Sequence, residues 1–414
     1  MIRERRLNSP VFTPGQVVSV ELPKDAVYHQ IQIQLNGKLS IAYGAAAGAS
    51  VNTQIAEGFP FSLISKIRLI RNGSDVVFQG TGKQLAKEQL YLNQRFPFAR
   101  MYFDTTTTTG TPNALLTKTI NGLTVPSNSE GIGSNNATFS DTASVSATNV
   151  IDFQCLLEMW LQLGVDDAYY TTLVDSRPLA SFVLEITWAN TTEYVVAGSQ
   201  NAVTAVVTPS VSASIQSYDQ DNIQAGIAFG TFKRASFQPP GIGFNSGNTQ
   251  ALLPRGNLYL GIIMETLGLK AAGLATIAQP GNDIMGEIQN RINSNYLLRD
   301  VFFKDLQAKN RNEGMVPTSP YDSWGAAPLG WAYLFFPSTG KTIKELVSSF
   351  TMDQFDLLLS TNNTSGAGDG NVYSGTPTVN LLTQEVIPGR SVSASSARGA
   401  FAGSAVSTSA KPGM

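Results

Sequence analysis

The chain has 414 residues, a formal net charge of −2, 42% hydrophobic and only 14% charged residues, with 37 Gly and 20 Pro. That hydrophobic fraction excludes a disordered polymer, the length suits two cores better than one, and the charge balance offers no overall attraction to nucleic acid. One cysteine, Cys155, and one histidine, His29, exclude an internal disulfide framework and an ordinary tetrahedral zinc site.

Residues 1–14 read as an arm, with Arg3, Arg5 and Arg6 against Glu4, then Pro10 and Pro14. No apolar stretch follows these charges and no run reaches the ~20 residues of a membrane span, so synthesis in a cytoplasm is expected. Strand alternation begins with Val18, Val20 and Leu22. It continues with Ile31, Ile33 and Leu35 between Gln30, Gln32 and Gln34. Uncharged Gln on the outer face suits a sheet covered by a neighbour. Asn72-Gly73 between two alternating runs is a strong hairpin signal. Residues 82–92 then read as a short helix.

Residues 104–149 are rich in Thr, Ser, Gly and Asn without periodicity and read as a large loop at one end of a β domain. Strands are expected over 151–161 and 182–188, with a helix over 166–174 between them. Residues 190–217 are expected to hold the crossing to a second domain.

The second half repeats the plan. Strands are expected over 258–265, 284–292, 296–298, 331–336 and 355–359, with helices near 304–309 and 342–350. One segment can be laid on its counterpart without gaps: Ile67 on Ile288, Asn72 on Asn293, Lys83 on Lys304 (288 − 67 = 221). The shared order of elements argues for duplication more strongly than these matches do. The expected division is an arm over 1–14, a first domain over 15–210, a second over 211–387 and a basic, small-residue tail over 388–414.

Catalytic chemistry finds little support. His29 sits on an alternating strand with no identified nucleophile or orienting carboxylate, and reads as a strand histidine on a polar face. Cys155, among Phe153, Leu156 and Leu157, reads as a buried inert thiol. The Ser338-Thr339-Gly340-Lys341-Thr342 run ends like a phosphate-binding loop, but Phe335 stands where the first glycine belongs. A capped helix start explains it better. Gly241-Ile242-Gly243 lacks a βαβ context, and Asp166-Asp167 suits a helix N-terminus. Asp219-Gln220-Asp221 and residues 366–370 lack EF-hand spacing for calcium.

The order of elements resembles that of the double jelly-roll major capsid proteins of tailless icosahedral phages with internal membranes, the lineage that includes the adenovirus hexon. Residues 61–70, followed by Gly82-Lys83-Gln84-Leu85, resemble the early strand pair and helix of the first roll. Residues 153–160, the stretch after Asp166, Arg177-Pro178 and Leu184-Glu185-Ile186 resemble its later strand, helix and strand. The resemblance implies an all-β fold with a few short helices, built as two jelly-roll β-sandwiches in tandem. It further implies a virion shell protein, not an enzyme, whose three chains form a pseudo-hexagonal homotrimer beside other capsomers and penton or minor capsid proteins.

No cofactor, metal or small-molecule substrate is implied. The arm with Arg3, Arg5 and Arg6 is expected to face inward, toward genome phosphates or internal membrane lipid. A solvated terminus explains those charges equally well. The tail with Arg390, Arg398 and Lys411 carries no acid and is expected to be held by a neighbouring subunit. The competing readings are a spike or carbohydrate- or receptor-binding β-sandwich, and a β-sandwich glycoside hydrolase with two close carboxylates.

Overall fold

The structure is a computed structural model that describes residues 2–43, 51–55, 58–95, 97–103, 117–120, 123–126, 137–141, 148–163, 172–190, 193, 195–196, 203–223, 229–239, 248–270, 279–293, 296–316, 328, 330–337, 346–362 and 373–388. The first half carries β1 (Arg3–Arg6), β2 (Val17–Glu21), β3 (Val27–Tyr43), β4 (Val51–Ile55), β5 (Ile64–Arg71), β6 (Asp75–Gly80), helix α1 (Gly82–Asn93) and β7 (Ala99–Phe103). It continues with β8 (Thr117–Ile120), β9 (Leu123–Pro126), β10 (Ala137–Asp141), β11 (Thr148–Trp160), β12 (Val174–Asp175), β13 (Phe182–Trp188), β14 (Val195–Val196) and β15 (Val203–Gln220). The second half carries β16 (Thr231–Phe237), β17 (Asn248–Leu252), β18 (Leu258–Lys270), β19 (Gln279–Pro280), β20 (Met285–Ile292), β21 (Tyr296–Phe302) and helix α2 (Phe303–Asn312). It ends with β22 (Trp331–Phe335), β23 (Val347–Ser348), β24 (Phe355–Thr361) and β25 (Tyr373–Ile387).

Each half is a sandwich, and the two share one pairing plan. In the first, the sheet β1-β15-β3-β11-β7 faces the strands β6-β5-β13-β2. In the second, β16-β25-β18-β22 faces β21-β20-β24-β17. Even the two-residue strands correspond, since β12 pairs with β3 as β23 pairs with β18. Alternating residues fill the first core: Ile31, Ile33 and Leu35 of β3 meet Ile67 and Leu69 of β5 and Leu184 and Ile186 of β13.

The duplication extends to single hydrogen bonds. Tyr28 Oη donates to Pro23 O at 2.7 Å, and Tyr259 Oη donates to Pro254 O at 2.6 Å. Each of these rings meets a phenylalanine edge-on, Phe182 at 5.1 Å and Phe355 at 4.8 Å. Ser176 Oγ donates to Ala26 O and Ser349 Oγ to Asn257 O, at 2.6 and 2.8 Å. In both hairpins an asparagine takes a left-handed conformation, Asn72 at φ 50 and Asn293 at φ 52. Asn72 Oδ1 accepts from Ala180 N, and Asn293 Oδ1 accepts from Asp353 N and Gln354 N, which ties each turn to its neighbouring strand.

The gapless offset read from the sequence therefore holds in three dimensions, from β5 on β20 to α1 on α2. One consequence can be measured. Tyr28→Phe and Tyr259→Phe are expected to lower stability by similar amounts, about 1 kcal/mol each, in urea denaturation.

Several expectations need correction. The helix expected over 166–174 lies largely outside the described residues, and its described end is extended, with Val174 in β12. Within the helix expected over 342–350, Val347 and Ser348 form β23 against β18. Residues 104–149 are not simply a loop, because β8, β9 and β10 form a small antiparallel sheet with β4 and β14. The crossing expected over 190–217 is, from Val203 onward, the long strand β15, paired with β3 and β1 to Gln220. A β-rich Thr, Val, Ser and Ala composition suits a covered strand as well as a linker, which is why the two were confused.

Candidate functional site

Where the halves meet, β6 and β16 pair in parallel, with Arg234 opposite Phe78 and Ala235 opposite Gln79. This one junction joins strands of both halves into a single sheet. Helix α1 lies over it. Thr81 starts that helix with a capping box, its Oγ1 accepting from Gln84 N at 3.1 Å while Gln84 Oε1 accepts from Thr81 N at 3.0 Å.

The helix is buried on nearly every side, including Gln84, Lys87, Glu88 and Gln89. An exposed helix would hide one stripe only. Here the first core takes Leu85 and Ala86. A third core takes Tyr91 together with Phe232, Leu260, Ile263, Trp331, Tyr333, Leu382 and Val386 from the second half. The β16-β25-β18-β22 sheet is thus covered on both faces. That explains why β22 reads as an unbroken apolar run: Ala332 and Leu334 enter the second core while Trp331, Tyr333 and Phe335 enter the seam.

Charges sit inside this seam. The Arg234 side chain is 0% exposed and its Nη1 donates to Glu88 Oε1 at 3.1 Å and also to Trp160 O. Its guanidinium lies over the rings of Phe78 and Phe232, at 5.0 and 4.5 Å from their centroids. Nearby, Lys83 Nζ meets Glu265 Oε1 at 2.6 Å, Asn380 Nδ2 donates to Glu265 Oε2 at 2.9 Å, and Lys87 lies 5.4 Å over Trp331. Burial pushes the Glu88 carboxyl above its ordinary pKa even with Arg234 beside it, and pulls the Arg234 guanidinium below its own. Such a pair adds little net stability, but neither member tolerates loss of the other. Chemically the seam is a fastener.

The residues singled out in the sequence fall elsewhere. Arg3 and Arg5 lie on β1, where Arg3 meets Asp219 and Asp221 (3.0 Å) and Arg5 meets Asp25 at 2.9 Å. The Asp219-Gln220-Asp221 segment therefore holds arginine, and the Asp219 side chain is fully buried. Arg6, on the same strand, is exposed. His29 is buried, not on an open polar face, with Nδ1 3.1 Å from Gln162 Oε1 and Nε2 3.3 Å from Gln220 Oε1. Cys155 is buried and its thiol is pushed well up by burial, as expected of an inert core residue. Among the described residues no cluster of three metal-ligating side chains occurs. Residues 166–167, 241–243, 338–342 and 366–370, and the tail residues Arg390, Arg398 and Lys411, lie outside the described residues.

Arg234 and the α1 charges were missed because nothing local to Lys83, Lys87 and Glu88 marks them for burial. The available signal was Lys233-Arg234 inside a strand that begins Thr231-Phe232.

No family model matches this sequence, and no curated protein matches it. Solved structures do. The STIV MCP, from Sulfolobus Turreted Icosahedral Virus, superposes with a TM-score of 0.56 at 15% identity, covering 94% of this chain and 97% of that one. The PBCV-1 virus capsid gives 0.53 at 10% identity, with 95% and 97% covered. The Sputnik virophage gives 0.52 at 12% identity, with 93% and 85% covered. The fold is the double jelly roll. In those terms β1–β15 form the first roll and β16–β25 the second, and the Arg234–Glu88 pair is the buried link between the rolls of one double jelly roll.

Proposed function

We propose that this protein is a structural major capsid protein that self-assembles as pseudo-hexagonal trimers tiling an icosahedral virus shell. The observation that carries the reading is a double jelly roll spanning 94% of the chain, shared with the MCP of an icosahedral virus. The seam supports it, since two rolls locked by buried ionic and aromatic contacts form a rigid block. Three such blocks place six similar rolls around one axis.

The work of the chain is then assembly, not catalysis, and its place is the virion after synthesis in a host cytoplasm. Neighbouring capsomers and penton or minor capsid proteins are its proposed partners. In the domain division that fits this reading, residues 221–230 carry the chain from one roll to the other. Arg390, Arg398 and Lys411 remain proposed contacts to a neighbouring subunit. The carboxylates around Arg3 and Arg5 favour a structural use of these two residues, leaving Arg6 as the arm's proposed contact to genome or lipid phosphate.

Sedimentation analysis of the purified chain together with negative-stain microscopy tests the proposal. Trimers or particles are expected. A monomer at every concentration would overturn it.

A further inference from the structure

The duplication supplies two equivalent sockets, and among the described residues a strand fills only the first. In the first roll the outer edge of β6 receives β16, and Arg234 reaches Glu88 on α1. At the same offset in the second roll, Phe78 becomes Arg299, Gln79 becomes Asp300 and Glu88 becomes Lys309 (309 − 88 = 221). Among the described residues β21 pairs only with β20, and no described strand covers its other edge.

Burial follows suit. Val77 and Phe78 of β6 are buried, whereas β21 exposes Tyr296 (64%), Leu297 (45%) and Phe302 (60%). Helix α1 is covered almost all round, but α2 buries only Phe303, Leu306, Gln307 and Asn310. A groove beside β21 and α2 is bordered by Arg299, Asp300, Lys309, Glu313 and Tyr333, and in it Lys309 Nζ lies 3.5 Å from Glu313 Oε1, a partner that an incoming carboxylate would share.

The counterpart of β16 is β1. Strand β16 runs antiparallel to β25 with Lys233 opposite Glu385, and β1 runs antiparallel to β15 with Arg3 opposite Asp219. The two carboxylates are equivalent, since Ser217 Oγ donates to Asp219 at 2.9 Å and Thr383 Oγ1 to Glu385 at 2.7 Å. Arg234 therefore corresponds to Glu4, and Ala235 to Arg5.

We propose that β1 of a second copy of this chain adds in parallel to the outer edge of β21, placing Glu4 opposite Arg299 and Arg5 opposite Asp300, with the Glu4 carboxylate reaching Lys309. Both registered pairs are opposite in sign, and Glu4 with Lys309 is Arg234 with Glu88 reversed. The contact is strand addition in a head-to-tail sense, and it closes into a ring of three chains when its rotation and that of the seam within the chain add to a third of a turn. The reversal also separates the two seams. Glu4 entering the first socket would face Glu88, and Arg234 entering the second would face Arg299 and Lys309, so each mispairing brings like charges together. This interface rests on the self-assembly reading and specifies its geometry.

Charge exchange in the full-length chain tests it. Glu4→Lys alone, and Arg299→Glu with Lys309→Glu, are each expected to raise the trimer dissociation constant on the order of tenfold or more, read by sedimentation. Combining all three substitutions is expected to recover most of the loss. Glu4 is exposed and Arg299 and Lys309 are at least partly so, and thermal melting checks that each variant folds. As a second readout, Glu4→Cys with Arg299→Cys is expected to give disulfide-linked oligomers on oxidation. Normal trimers from both charge variants, with no cross-linking, would place the interface elsewhere and leave the shell reading intact. A wild-type chain that stays monomeric would remove both.

Discussion

Arg234→Ala is expected to destabilise the protein by about 3–5 kcal/mol, because it strands the buried Glu88 carboxylate and leaves the Phe78 and Phe232 rings without the guanidinium between them. The loss should depend on pH. Burial already holds the Glu88 pKa above its ordinary value, and Arg234 acts to lower it. Without Arg234 the folded-state pKa rises further. A carboxyl raised in this way contributes its full stability below the unfolded pKa and loses it as pH rises through the folded one. The variant should therefore lie nearest the wild type at acidic pH and fall away toward neutrality.

Replacing both partners with apolar residues, Arg234→Met with Glu88→Leu, should recover most of the stability, since the pair's desolvation cost disappears with its attraction. Guanidinium denaturation across pH decides the matter. A single variant whose loss is constant with pH would mean that Glu88 is solvated when Arg234 is gone. The shape of the curves adds a second reading. If the seam couples the rolls, Arg234→Ala should split one transition into two.

Trp188→Ala should be comparably severe, at about 3–5 kcal/mol, with a different signature. Trp188 is 1% exposed in the first core, and its Nε1 donates to Val11 O at 2.9 Å. Phe12 packs edge-on against it at 5.1 Å, and its backbone bonds Gly15 and Gln16. The indole thus anchors the segment that follows β1. Hydrogen exchange should show residues 11–16 opening well before the sheets, and Trp188→Phe should restore most of the global stability while the Val11 bond stays lost. Uniform loss of protection across the first roll would contradict this local role.

The strands of the first core were legible because their side-chain period is two and one face is buried, as in Ile31, Ile33 and Leu35. The β5–β6 hairpin was legible from Asn72-Gly73, whose backbones both adopt positive φ, at 50 and 75. The repeat was legible because β5 through α1 and β20 through α2 begin at a constant offset and carry an asparagine at the same place in the turn. At the described ends of the two expected helices, Val174–Asp175 and Val347–Ser348 are extended because an edge of β3 or β18 pairs them, more than a hundred residues away in the first case. Local propensity carries no record of such a partner.

The candidate site was far less legible. Lys83, Lys87 and Glu88 follow the pattern of an exposed helix, and only the second roll packed over α1 turns them into buried groups. The cost of burying a charge belongs to the surroundings, not to the residue. What the sequence determined by itself was local: strand periodicity, turn chemistry, one inert thiol, and a plan written twice. What only the tertiary structure decided was which copy of that plan is covered. Arg234 fills the socket at β6, no described strand pairs the equivalent edge at β21, and that difference arises from pairing between residues more than a hundred and fifty positions apart.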